Sequence, residues 1–489
     1  MVEGGGRQAA AAARFAWLAV ALGLAALAYA FPLPGISEEG RRQTAVMALV
    51  ATLWIAEVVP IAVTALVGPA LAVLVGVAPA EKAFAAFGSP ILLLFIGSFL
   101  LARLTFKYRL NERIAYGVLS SRVVGSDPTR VFVLLGLTTA AISAWMSNVA
   151  VTAMMLPIAE AVLVAMLGTA RRGGPSPLST AFVLIVTYSA SIGGLFTPVG
   201  TPPNLIGIGL IEQATGHRIG FGEWIVSVLP VTLAILLLMI GYFVWTFRAE
   251  RATLVYDRGA MVARRVALGA WRRAEARVAV ALLCTVALWI LPPLIALLHA
   301  PAGGWLAARI PEAVVPLLIA GPLFFVSEGG AGAPPLMTLE DLAGIDWPVV
   351  VLFGGGMCLG QLMMQSGMAT ALGALLAAWV PAGHSTSLVF IFSLLAVVVS
   401  ETTSNTASAN MVVPVVAAVS TQVGADAVGL GLAATVACTF GFMLPVSTPT
   451  NAMAYATGRV TQRQMIRHGI VLDVLGVVLL TLWFGWAHA

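Results

Sequence analysis

Two short polar sequences occur twice in this chain. The first copy is Ser147-Asn148-Val149, followed by Pro198-Val199-Gly200-Thr201-Pro202-Pro203-Asn204. The second is Ser404-Asn405-Thr406, followed by Pro445-Val446-Ser447-Thr448-Pro449-Thr450-Asn451. The carboxamides of Asn148, Asn204, Asn405 and Asn451 both donate and accept hydrogen bonds, and Ser147 and Ser404 add hydroxyls. Proline is favoured at the first helical position, so Pro202 and Pro449 read as the openings of half-helices with Thr201 and Thr448 at the N-cap. Free N–H groups at such a start attract an anion, and free C=O groups at a helix end attract a small cation. The chemistry is that of hard oxygen ligands for an alkali cation beside donors for an oxyanion. A single Ser-Asn reads better as a packing hydrogen bond between membrane helices. Two copies, each paired with a Thr-Pro break, favour a binding site.

What is missing sharpens this. Residues 138–160, 185–210, 396–420 and 440–458 contain no Arg, Lys or His. A buried anion there has no cationic side chain to neutralise it, and an uncompensated buried charge costs several kcal/mol or more. Bound cations are the simplest compensation, and sodium suits neutral oxygen ligands. No nucleophile–base pair or metal cluster accompanies the motifs, so an enzyme is not indicated. Cys284, Cys358 and Cys438 lie in apolar surroundings without metal-ligand spacing. His217, His299, His384, His468 and His488 are scattered.

The elements that carry these motifs must lie in a membrane. Of 489 residues, 60% are hydrophobic and 10% charged, against about 25% charged in soluble domains. Apolar runs near the ~20 residues needed to span a bilayer recur from end to end. The expectation is an all-α polytopic membrane protein. Arg7 and Arg14 precede a long apolar run with no clear cleavage site before Pro32, so the first segment reads as a retained helix rather than a signal peptide. The net charge of +5 does not indicate nucleic acid. Residues 247–277 hold Arg248, Arg251, Arg258, Arg264, Arg265, Arg272, Arg273 and Arg277 against three acids, which places that loop in the cytoplasm. Arg103, Lys107, Arg109 and Arg113 place a second loop inside, and Arg459, Arg463 and Arg467 a third. The inner (plasma) membrane is the expected location.

The chain repeats itself. Asn405 follows Asn148 by 257 residues, Thr448 follows Thr201 by 247, and Pro348 follows Pro90 by 258. Three motifs in one order at near-constant offset define two structural repeats. We expect an N-terminal segment at 1–44, a first repeat at 45–246, a basic loop and connecting helix at 247–309, and a second repeat at 310–489. The inverted arrangement is the common transporter solution. The apolar segments after Pro90 and Pro348 contain Gly97 and Gly354-Gly355-Gly356. They read as arms of re-entrant hairpins near 90–118 and 348–378, with kinked spanning helices as the alternative. Broken helices are expected at 147–149, 198–204, 404–406 and 445–451. Glu57 is either an intramembrane functional carboxylate or part of an interfacial turn before Pro60. Glu401 can cap or brace the second broken helix; Glu160 and Asp473 read as structural residues near segment ends.

Taken together, these motifs closely resemble those of the divalent anion/sodium symporter family, the dicarboxylate and citrate carriers. The resemblance extends to Trp54-Ile55-Ala56-Glu57 and Met154-Met155-Leu156-Pro157. It implies a homodimer in the lipid bilayer working by an elevator mechanism, with co-transported sodium ions and no organic cofactor. By motif, a first sodium site uses Ser143, Ser147, Asn148 and the Gly200 carbonyl. A second uses Ser400, the Thr403 carbonyl, Asn405 and the Ser447 carbonyl. A small dianion such as succinate, malate or fumarate meets Ser147, Asn148, Val149, Thr201, Pro202, Ser404, Asn405, Thr406, Thr448 and Pro449. The departure is Val149, where the family usually has threonine. The lost hydroxyl leaves open an inorganic oxyanion such as sulfate, and an exchanger without sodium coupling is the other alternative.

Overall fold

Backbone N–H and C=O groups in hydrocarbon must bond within their own segment, and this chain satisfies them with helices. The computed structural model describes residues 2–167, 175–251, 254–329, 332–377 and 385–487. His384, His488, residue 378 and residues 252–253 of the basic loop lie outside them. Among the described residues, twenty-four α-helical segments of varied length are joined by turns, one isolated bridge pairs Ser327 with Pro335, and eight helices are long and apolar enough to cross a membrane. The protein is an all-α polytopic membrane protein.

Local sequence explains where the helices start. Asp127, Ser176, Asp346 and Asp426 each accept a backbone N–H from the first turn, and a proline occupies the first or second position after the first three. This pairs a satisfied N-cap with a residue that has no N–H to waste.

The helices Pro90–Lys107 and Trp347–Gln365 lie side by side and run antiparallel. Ile91 and Met357 both reach the space above Gly209, Phe95 stacks on Phe353 with ring centroids 5.5 Å apart, and Arg103 donates to the Gly344 carbonyl at 2.9 Å. Both helices are continuous, of 18 and 19 residues. Each is followed after a turn by a short helix, Leu110–Leu119 and Met368–Ala377, within the stretches expected as hairpins near 90–118 and 348–378. The glycines are packing positions. A Cβ on Gly355 would sit 2.1 Å from the Ala65 carbonyl oxygen, and one on Gly97 2.9 Å from the Pro316 ring. Close approach of backbones is a standard use of glycine in membrane helices.

Hairpin turns form at the Ser-Asn motifs. The arms Pro128–Ser143 and Asn148–Leu167 both pack along Pro177–Gly193, and the arms Ser385–Thr402 and Asn405–Gln422 both pack along Ala427–Ala437. Two further helices restart at the Thr-Pro motifs, Pro202–Thr215 and Pro449–Ala456.

One difference separates the two hairpins. The short helix Met368–Ala377 packs closely on Asn405–Gln422, with the Cβ position of Gly373 only 2.8 Å from the Ala418 carbonyl oxygen. Its counterpart Leu110–Leu119 stands away from Asn148–Leu167 and leaves a cavity of about 310 Å³ lined by Asn111, Met154 and Pro157. Asn111 is 1% exposed, and neither atom of its carboxamide has a hydrogen-bond partner.

Glu57 sits in the turn after Glu38–Ala56 with φ 48°, in the left-handed region, and its N–H closes that helix on Leu53. It belongs to a turn and does not line the cavity at the motifs. Glu160 forms an ion pair with Arg459, 3.0 Å between Nη2 and Oε2, tying the first hairpin to the segment after Pro449–Ala456. Asp473 departs from expectation. It lies well inside the helix Gln462–Ala487, is 3% exposed, and sits beside the Glu401 carboxyl and the Phe442 backbone.

Candidate functional site: a cavity at four helix starts

Each polar motif ends one helix and starts another. The helices starting at Asn148, Pro202, Asn405 and Pro449 all present their first residues to one cavity of about 220 Å³. Four positive dipole ends therefore face a shared space, although Ser404 and Thr448 already cap the N–H groups of Ala407 and Asn451, and Pro202, Pro203 and Pro449 have none to offer. That size suits a small ligand; drug-sized pockets run from about 300 Å³ upward.

The cavity unites residues far apart in sequence. Ser147, Asn148 and Val149 line it from the first hairpin, and Ser404, Asn405 and Thr406 from the second. Gly200, Thr201 and Pro202 face Ser447, Thr448 and Pro449 from the two restarted helices. No Lys, Arg or His is among the lining residues. Val149 is 41% exposed, so the position that departs from the family pattern faces open space. Ser143, Ser400 and Thr403 lie behind the wall, fully or almost fully buried.

Behind each Ser-Asn motif is a knot of oxygens. Ser143 Oγ is 2.8 Å from Asn148 Oδ1 and 2.7 Å from the Ala190 carbonyl oxygen. Ser400 Oγ is 2.9 Å from Asn405 Oδ1 and 2.6 Å from the Cys438 carbonyl oxygen. One hydroxyl proton cannot serve two acceptors at once, so both knots are richer in lone pairs than in donors. That is the donor set of a small hard cation. Neighbouring carbonyls are gathered by glycine. A Cβ on Gly200 would lie 2.5 Å from the Gly194 carbonyl oxygen and 2.9 Å from that of Ala144.

The outer asparagines build the loops. Asn204 donates to the carbonyls of Gly194 and Thr197 at 2.9 and 2.8 Å. Asn451 does the same to Gly441 and Leu444 at 2.7 and 2.9 Å. Their Nδ2 atoms thus brace the loops while their buried Oδ1 atoms have no hydrogen-bond partner, and Asn148 and Asn405 are the carboxamides that line the cavity. The second loop has one more brace. Glu401 accepts from the N–H groups of Met443 at 2.6 Å and Leu444 at 3.1 Å, and from Ser447 Oγ at 2.7 Å. The first loop has no acid there; the Thr197 hydroxyl donates to the Ala144 carbonyl and the Trp224 indole N–H to the Leu195 carbonyl.

A profile described as the sodium:sulfate symporter transmembrane region matches residues 9–488, nearly the whole chain. The chain belongs to that family. Members of it are transporters, and this protein is an integral membrane transporter rather than an enzyme. It is 29% identical over 461 residues to the sodium-dependent dicarboxylate transporter SdcS of Staphylococcus saprophyticus, covering 92% of this chain and 87% of that one. It is 30% identical over 449 residues to an uncharacterized transporter of Haemophilus influenzae, covering 89% of each. Among solved structures, MtrF of Neisseria gonorrhoeae superposes with a TM-score of 0.54 at 15% identity, covering 82% of both chains. The YdaH transporter of Alcanivorax borkumensis gives 0.51 at 15% identity, covering 82% of this family member and 86% of that chain. Those two likenesses show the fold.

Several cavity residues carry no motif. Phe99, Val349 and Leu352 come from the antiparallel helix pair, and Ile61 from the start of Ile61–Leu74. Apolar side chains in apolar runs give no sequence signal. Asp346 did have one, as the N-cap two residues before Pro348.

Proposed function

We propose that the protein is a sodium-coupled symporter of small divalent organic anions, with C4-dicarboxylates such as succinate, malate and fumarate as the substrate class. The observation that carries this is the cavity where four helix starts converge without a cationic side chain, backed by two oxygen knots. The helix starts supply partial positive charge to the anion. The knots, with the carbonyls of Gly200, Thr403 and Ser447, hold sodium close enough to offset its two charges. The relatives named as sodium-dependent dicarboxylate transporters favour an organic dianion over sulfate.

Transport is of the elevator type. Phe99, Asp346, Val349 and Leu352 belong to a scaffold built on the antiparallel helices, and the two hairpins with the restarted helices form the moving part. The antiparallel course of segments equivalent in sequence supports inverted repeats. With Arg103 and Lys107 inside by the positive-inside rule, Leu110–Leu119 lies toward the cytoplasm in a plasma-membrane homodimer.

Purified protein in proteoliposomes tests the reading. Uptake of radiolabelled succinate should require an inward sodium gradient. Equal uptake with choline replacing sodium would overturn symport and leave exchange as the function.

A further inference from the structure

We propose that Asp346 is a release residue: a carboxylate fixed on the cytoplasmic wall of the cavity that repels the bound dianion and speeds its exit. The inference rests on the symport reading above. Asp346 is the only ionisable side chain lining the cavity among the described residues. It is an exposed residue with no cationic partner among the described ion pairs. The nearby acid Asp341, by contrast, is paired with both Arg103 and Lys107. A carboxylate is an odd wall for an anion site, since like charges at close range in a partly desolvated space repel.

Its place in the fold gives the repulsion a direction. Asp346 caps Trp347–Gln365, with Oδ1 accepting the Val349 N–H at 3.3 Å. Ser89 caps the antiparallel partner Pro90–Lys107, with Oγ accepting the Ile91 N–H at 3.3 Å. The caps lie at opposite ends of the pair. Asp346 stands at the end of Arg103 and Lys107; Ser89 lines a separate cavity at the other end, with Gln361. The outer cavity beside Ser89 holds an acid and a base together, Glu212 and Arg218, whereas a dianion that moves inward with the hairpins meets a carboxylate with no cation beside it on the cavity wall. Both residues are good N-caps, so capping alone does not call for the acid.

The test uses Asp346→Asn, which keeps the cap, and Asp346→Glu, which keeps the charge. In detergent with saturating sodium, Asp346→Asn should bind succinate about fivefold more tightly than wild type at low ionic strength, and the gap should shrink as salt is added. In proteoliposomes the same variant should show a lower KM and a lower maximal rate, because exit is slowed. Asp346→Glu should follow wild type in both. Equal or weaker succinate binding by Asp346→Asn overturns this inference alone, as does an unchanged maximal rate. A loss of sodium affinity in Asp346→Asn that carries succinate affinity down with it also overturns it, by making Asp346 a cation recruiter. Absence of sodium-dependent succinate binding in wild type and variant alike overturns the symport reading, and this inference with it.

Discussion

The two hairpins have the same plan and different support. In each, a serine hydroxyl bridges an asparagine carboxamide and a backbone carbonyl, at 2.8 and 2.7 Å in the first and 2.9 and 2.6 Å in the second. What lies behind them differs. The second loop is held by Glu401 through three donors. The first has no acid there; it is held by the Thr197 hydroxyl, the Trp224 indole N–H on the Leu195 carbonyl, and tight glycine packing. The oxygen geometry is kept in duplicate, while the means of holding it rigid differs.

The largest expected effect separates two glycines at equivalent positions. A Cβ on Gly194 would lie 2.4 Å from Asn148 Oδ1, whereas one on Gly441 would lie 3.2 Å from Asn405 Oδ1. Gly194→Ala must push the carboxamide out of place by several tenths of an ångström, and displacements of that order cost roughly a hundredfold in function. Gly441→Ala should cost roughly tenfold or less, because a neighbour need give only slightly. Sodium-dependent uptake by the two variants measures this, and equal losses would erase the difference between the halves.

Next in size is the brace itself. Glu401→Gln leaves at least one buried N–H without an acceptor, a loss of about 2 kcal/mol or more. Thr197→Val removes one hydroxyl bond from the first loop and should cost about 1 kcal/mol. Thermal unfolding in detergent should rank Glu401→Gln below Thr197→Val. The reverse order would mean that the first loop depends on its hydroxyl more than the second does on its acid.

The smallest effect concerns the one unequal residue on the cavity wall. Val149→Thr restores the hydroxyl that Thr406 supplies opposite, and one added hydrogen bond is worth about 1 kcal/mol. Succinate affinity should rise about fivefold, read by the sodium-dependent thermal shift. Unchanged affinity for succinate, malate and fumarate would show that position 149 does not touch the ligand.

The site was legible in the sequence because its residues are polar and sit where polar residues are costly. Ser147-Asn148, Ser404-Asn405 and the Thr-Pro pairs stand out against apolar runs, and they converge on one cavity. The role of the glycines after Pro90 and Pro348 was not legible, because a glycine in an apolar segment signals a break and a close contact equally; the neighbours of Gly97 and Gly355 show the close contact. Asp473 read as a residue near a segment end, since nothing in its own neighbourhood in sequence reveals how deeply a helix is buried. Phe99 and Leu352 reach the cavity through the antiparallel pairing of two helices, a long-range relation that the local pattern does not contain.

The cavity wall without a lysine or arginine has a further consequence. A permanent guanidinium would let the empty carrier seize an anion on its own and shuttle it with nothing else on board. On the proposed symport reading, the attraction comes from partial charges, too weak to hold a dianion once the ions have gone. The cargo and its companions would then arrive and depart as a set, and leakage would be prevented not by a gate but by the absence of anything on the wall worth binding to.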